Sequence, residues 1–240
     1  MNLLLAAVIA ASTPTTAAVS TEVECRSRSG VDSSICLATL YAGAGRHEEA
    51  AAEFEKVAQL SLEIASAQGA PQVDRALAAA GNMWIAAGQP GKAALALDRA
   101  LAGTWLRAEH RGEALLDRAR AAEAQNDLKT ARARVSEAAQ TISADPFLWY
   151  FSAALAVREG NVPLARSAIN RALSLAPEDP TILFEAGHVA HLADDNAGAR
   201  GYWTRAAAAD PAGPSGKAAR EALAMLDVPL TVQSTAAAPK

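Results

Sequence analysis

The sequence predicts an all-α solenoid of about five helix-turn-helix units, closed by a C-terminal capping helix. Three observations carry that prediction. The stretch Pro180 to Pro211 reads as two helices and a turn: Leu183, Ala186, Gly187 and Ala190 recur at helical spacing, Asp194-Asp195-Asn196 breaks the run, and Ala199, Trp203 and Ala206 resume it before Asp210-Pro211. The pattern then repeats, because Ala165 lies 34 residues before Ala199 and Ala131 another 34 before that, with Ala93 and Ala50 in the same place of earlier units. Finally, a helix pair of this size cannot bury its apolar stripe alone, so consecutive pairs must stack.

The columns beside these alanines agree. Seven residues after each stands Val57, Ala100, Ala138, Ala172 or Ala206, and between the two positions a larger apolar residue: Phe54, Leu97, Val135, Ile169 or Trp203. Twelve residues before each reference alanine, the first helix of the unit carries Ala38, Gly81, Ala119, Ala153 or Gly187. Small side chains let helices approach, and the bulky one fills the space between them.

Taken in order, the chain begins with a short apolar run, Leu3 to Ala11, followed by small and polar residues to Ser20, which fits a secretory signal peptide over 1–20 with cleavage near Ala18 or Ser20, although no Lys or Arg precedes the run. Nine apolar residues fall short of the ~20 a membrane span requires. Residues 21–30 are polar. Cys25 and Cys36 are the only cysteines. In an oxidising compartment they would pair, closing a short loop worth about 2–3 kcal/mol on a chain-entropy estimate. The other reading makes Cys36 a buried helix residue and Cys25 an idle thiol. Glu22-Val23-Glu24 ahead of Cys25 does not fit a lipid-attachment signal.

The units run 31–64, 74–107, 112–145, 146–179 and 180–213. The first has an overlong second helix, since Glu48 to Ala67 contains no breaker before Gln68-Gly69-Ala70-Pro71. Ala108-Glu109-His110-Arg111 adds four residues before the third unit, room for one more helical turn. Asp145-Pro146 and Asp179-Pro180 each supply an N-cap acceptor and a proline at the first helical position. Residues 214–227 form the capping helix, with Ala218, Ala219, Ala222, Leu223 and Leu226 on one face, and 228–240 a flexible tail without periodicity.

The chain resembles the tetratricopeptide repeat family, whose 34-residue unit has these preferences, from about Val31 to Gly213. The family's first-helix pattern is seen in Trp149-Ala153, Leu183-Gly187, Leu77-Gly81-Trp84 and, in part, Ala38-Tyr41, and its end-of-unit proline in Pro177 and Pro211. Ser34 and Arg118 depart from it, each standing where an apolar residue is usual. The resemblance implies a right-handed superhelix whose first helices line a concave groove for a protein or peptide partner. Carried over position by position, it implies that Asn82, Arg120, Glu123, Phe147, Tyr150, Val157, Ile182, Phe184, His188 and His191 face that groove. Ala78 and Leu116 replace the lysines with which some members clamp a terminal carboxylate. Exported members serve the cell envelope, so the resemblance implies a non-enzymatic scaffold, exported and periplasmic.

Composition narrows the alternatives. A net charge of −4 over 240 residues, with no block of Lys or Arg, gives no surface for nucleic acid or acidic lipid. No nucleophile elbow, phosphate loop or metalloprotease motif is present, and no cofactor is implied. His47 and His110 read as solvated residues. Glu185, His188 and His191 share neighbouring helical rows and could meet a divalent metal at the helix edge, but no second helix repeats the motif as di-metal bundles require. Trp84, Trp105, Trp149 and Trp203 are expected between helices, and Arg132, Arg134 and Glu137 in solvent. Self-association through the long first unit is the structural alternative to partner binding.

Overall fold

In the computed structural model, which describes residues 16–64 and 71–227, every repeat marked by the alanine columns is a pair of helices. Helix α1 (Thr16–Ser27) precedes them. The pairs are α2 (Gly30–Gly43) with α3 (His47–Ile64), α4 (Pro71–Ala86) with α5 (Pro90–Ala102), α6 (Ala108–Ala124) with α7 (Leu128–Ala138), α8 (Pro146–Arg158) with α9 (Val162–Leu175), and α10 (Pro180–Leu192) with α11 (Asn196–Ala209). Helix α12 (Pro214–Leu226) packs on α11 and α10. No strand occurs among the described residues. The apolar leader run, the 228–240 tail and residues 65–70 of the first connecting loop lie outside them.

The columns are the helix-crossing points. Ala50, Ala93, Ala131, Ala165 and Ala199 are all buried, as are Ala100, Ala138, Ala172 and Ala206. The small-large pairing is steric: a Cβ at Gly81 would meet Leu97 Cγ, Cδ1 and Cδ2 at 3.0 Å or less, and a Cβ at Gly187 would meet Trp203 Cδ1, Nε1 and Cε2 inside 3.0 Å. Glycine here is demanded by the approach of the second helix, at a helix-propensity cost of about 1 kcal/mol relative to alanine.

The caps follow the sequence signals. Asp145 Oδ1 accepts from Phe147 N at 2.8 Å, and Asp179 Oδ1 accepts from Thr181 N and Ile182 N at 2.9 and 3.0 Å, each before a proline at the helix start. Asp127, Asn161 and Asp195 cap α7, α9 and α11 in the same way. Ala108 to Arg111 are helical and lengthen α6 to 17 residues, while α3, at 18, is longer than any other second helix described.

Several side chains depart from expectation. The polar segment 21–30 has no helical periodicity, yet it is α1 through Ser27, tied by a Cys25–Cys36 disulfide to α2. Trp105 is about half exposed (47%) in the α5–α6 connection rather than between helices, because that connection runs over the outside of α4 with its backbone N–H donated to the buried Asp74 carboxylate at 2.9 Å. Arg132 is not a solvent residue: its guanidinium donates to both Glu159 carboxylate oxygens and to Ser152 Oγ, fastening α7 to α8. Arg118, out of pattern in sequence, forks onto Asp98 of α5 at 2.7 and 3.2 Å. Ser34 is fully buried, and its hydroxyl has no partner. His47, expected in solvent, has Nδ1 enclosed without a partner.

Candidate functional site: a concave groove on the first helices

Thr39 on α2, Arg75, Ala78, Asn82 and Met83 on α4, His110, Glu113, Asp117 and Arg120 on α6, and Phe147 on α8 line a groove of about 650 Å³. Its floor drops to the second layer, where Phe54 of α3 lines it beside Ala42, Ala78 and Ala79. Alanines at those three positions leave the opening. Bulky side chains would close it.

One polar chain runs across the groove. Asn82 Nδ2 donates to Asp117 Oδ2 at 2.8 Å, Arg120 Nη1 donates to Asp117 Oδ1 at 2.9 Å, and the Arg120 guanidinium lies 5.7 Å from the centroid of the Phe147 ring. Asp117 thus holds one expected groove residue from each of α4 and α6, and Arg120 reaches to a third on α8. Phe147 is 41% exposed, and its ring meets that of Tyr150 at 5.5 Å.

The remaining expected residues lie elsewhere. Glu123 is half-buried and ion-paired with Arg158 of α8. Tyr150 is half-buried, and burial, with the Glu185 and Asp179 carboxylates nearby, raises its pKa. Ile182 is a core residue at 4% exposure, packed in the cluster of Ala153, Ile169 and Val189, which corrects its assignment to the groove. Its helix turns that row inward, against α8 and α9, which supply the cluster's buried residues from outside α10. Phe184 is half-buried, its carbonyl accepts from Trp203 Nε1 at 3.0 Å, and its ring is 6.2 Å from that of His188. Val157 is half-buried against the same cluster as Ile182.

His188, Glu185 and His191 do not form a ligand set. Glu185 is buried, and His188 Nδ1 is 3.9 Å from its carboxylate, an approach that raises the imidazole pKa. His191 turns away, with Nδ1 2.7 Å from Asn196 Oδ1 and its ring against Trp203. Among the described residues no group of three His, Cys, Asp or Glu is placed to hold a metal ion.

Sequence reasoning missed Asp117, Arg75, Glu113 and His110. Asp117 stands three residues before Arg120 on one helical face, an acid–base pair legible in principle. His110 was assigned to solvent, and it lines the groove because the added turn of α6 carries it there.

No family model and no curated protein matches the chain. Solved structures do. It superposes on PilW, described as a widely conserved type IV pilus biogenesis factor, at 16% identity over 84% of this chain and 88% of that one, with a TM-score of 0.68. It superposes on BtubC from P. vanneervenii at 18% identity, 82% and 89% coverage and a TM-score of 0.66. With YrrB, described as a TPR protein with an unusual peptide-binding site, the identity is 17%, the coverage 87% and 98%, and the TM-score 0.58. The protein is a helical-repeat solenoid. Its fold is the tetratricopeptide-repeat fold.

Proposed function

We propose that this chain is an exported, non-enzymatic scaffold of the cell envelope that binds an extended segment of a protein partner in the concave groove. The observation that carries the proposal is the open groove floored by Ala42, Ala78 and Ala79 and crossed by the Asn82–Asp117–Arg120 chain beneath an exposed Phe147. Alanine floors accept apolar side chains of a ligand, and amide and guanidinium groups at the lip fix the backbone of an extended segment. Two neighbours whose descriptions name pilus biogenesis and peptide binding support the class of partner. No described helix is long and apolar enough to cross a membrane. The disulfide suits an oxidising compartment. Glu22, Cys25 and Arg26, which tie α1 to α2, lie after the proposed cleavage point at Ala18 or Ser20, so these ties survive removal of the leader.

In-cell photocrosslinking from a probe at Ala79 tests the reading, beside the same probe in an Asn82→Ala/Arg120→Ala/Phe147→Ala background whose helicity and melting match the parent. The expected result is one crosslinked partner that the triple variant loses. If the folded triple variant retains every partner, the groove reading fails. Self-association is the second reading, supported by exposed Leu62, Ile64 and Trp105 at the outer ends of α3 and the α5–α6 connection. Light scattering that finds a monomer at high concentration would dismiss it.

A further inference from the structure

Helix α1 sits at the N-terminal end of the stack, yet its described side chains bring almost nothing apolar to the contact. Of its described side chains, Thr21 to Ser27, Cys25 alone is buried, at 1% exposure, while Val23 is 62% exposed. Its other described attachments are polar and part-exposed. Glu22 accepts from Arg26 at 2.7 Å, from Tyr41 Oη at 2.9 Å and from Arg46 at 3.1 Å, and Ser33 Oγ donates to the Cys25 carbonyl at 3.0 Å. Exposed ion pairs of this kind add little stability, and ordering a two- to three-turn helix costs conformational entropy at every residue. The disulfide to Cys36 therefore decides whether α1 stays docked.

We propose that the Cys25–Cys36 bridge is a redox latch: oxidised, it holds α1 on α2, and reduced, it lets α1 leave while α4 to α12 keep their fold. The inference is independent of the groove reading. The bridge is reachable, because both sulfurs' residues line a cleft of about 720 Å³ together with Arg28, Ser29, Asp32 and Thr39. Cys36, half-buried, is the more open end. A dithiol reductant supplies the two electrons. Its thiolate attacks the Cys36 sulfur, forms a mixed disulfide and releases Cys25 as a thiolate that takes a proton. Its second thiolate then attacks its own sulfur in the mixed disulfide, leaving as an oxidised cyclic disulfide and returning Cys36 as a thiol. Two protein thiols form for each dithiol oxidised.

The separation of effects follows from the packing. The apolar cluster around Cys25 is small, comprising Leu37, Tyr41 and Ala50 with partly buried neighbours, whereas α4 onward is filled by clusters to which no described side chain of α1 contributes. The cleft beside the bridge and the groove on the first helices share only Thr39 of α2 among their lining residues, so release of α1 opens the cleft and leaves the groove's own lining in place. In an exported protein the latch closes only after oxidation, outside the reducing cytosol.

Hydrogen–deuterium exchange of the full chain, with and without dithiothreitol, tests the latch. Reduction is expected to accelerate exchange of the α1 amides on the order of 100-fold, the advantage that closing a loop of this length gives, with α4 to α12 unchanged and protection restored on reoxidation. The Cys25→Ser/Cys36→Ser variant should reproduce the reduced pattern. Unchanged α1 protection in the reduced protein would overturn the proposal, since the Glu22 contacts would then suffice. Loss spreading through α4 to α12 would overturn it equally, making the bridge a support of the whole stack. If the serine variant fails to fold, the wild-type comparison decides alone. Trapping with a monothiol should place the adduct on Cys36, and an adduct on Cys25 would refute the route of attack.

Discussion

Replacing Gly187 by alanine sets two effects of known sign against each other. In an open helix position the change stabilises by about 0.5–1 kcal/mol, through higher helix propensity and a less free unfolded chain. At Gly187 the added methyl would stand within 3.0 Å of three atoms of the Trp203 indole, where ordinary contact begins near 3.4 Å. The indole has no free direction: it is 4% exposed, and its N–H is held by the Phe184 carbonyl at 3.0 Å. Relief requires moving α10 off α11 or breaking that bond, with overpacking at about 1–3 kcal/mol and a lost buried hydrogen bond at about 1 kcal/mol. The clash wins, and Gly187→Ala should be destabilised by roughly 1–3 kcal/mol net of the propensity gain. Gly201→Ala, on the same helix pair but with nothing within 4 Å of the new methyl, should gain about 0.5–1 kcal/mol. Urea unfolding followed by circular dichroism measures both, and Gly187→Ala/Trp203→Leu should recover most of the loss through coupling of neighbours. A Gly187→Ala protein as stable as the parent would refute the account of these columns as steric fits.

Ser34→Ala removes a fully buried hydroxyl that lacks a partner and installs a better helix former, so melting should rise, by about 1 kcal/mol in free energy; a fall would mean that the hydroxyl is satisfied in solution. The Glu22 carboxyl is lowered from 4.5 to about 2, chiefly by its hydrogen bond from Arg26 and then by those from Tyr41 and Arg46. A depressed folded value stabilises fully above the unfolded pKa, so this contribution is complete above pH 4.5 and disappears as pH falls through about 2. An NMR titration of Glu22 should show the low midpoint, and Arg26→Gln should raise it. Asp117→Asn should free Arg120 without unfolding α6, seen as faster Arg120 side-chain dynamics and an unchanged melting temperature within a few degrees. His188 has its pKa raised by Glu185, so its share of stability is present below about pH 6.5 and is lost as pH rises through the folded value; Glu185→Gln should return its midpoint toward 6.5.

The repeat was legible because it is written in side-chain volume at fixed spacing, and volume at a crossing point is what close packing constrains. The Asp-Pro helix starts were equally plain, since capping is a local interaction between neighbours in sequence. What escaped was tertiary. Helix α1 has no apolar period, and its described ties to α2 are a disulfide and polar contacts, chiefly those of Glu22. Arg132 looks like any surface arginine until Glu159 and Ser152 arrive beside it from another helix. Ile182 and Asn82 both occupied groove positions by register, and only the neighbouring helices decide that one is core and the other lip. Trp105 faces outward because the connection after α5 crosses the outside of the stack, a path that periodicity does not encode.

Two of the groove's charges, Asp117 and Arg120, are already committed to one another, which bears on what it can select. Asp117 accepts from Asn82 and Arg120 together, so a ligand that takes the Arg120 guanidinium leaves a carboxylate with one partner fewer. Removing one member of a partly buried pair is costly, while exchanging it for an equivalent acceptor is close to neutral. On the proposed function, affinity would therefore come from the apolar lining at Ala78, Ala79 and Phe54 and from the exposed face of Phe147, and the polar chain would act by rejecting segments that cannot return what they displace. Arg75, like Glu113, lines the same groove with no ion pair to any described residue, so a ligand carboxylate can approach Arg75 without breaking an ion pair. Arg75→Gln should weaken capture of acidic segments and spare neutral ones, whereas Phe147→Ala should weaken both alike.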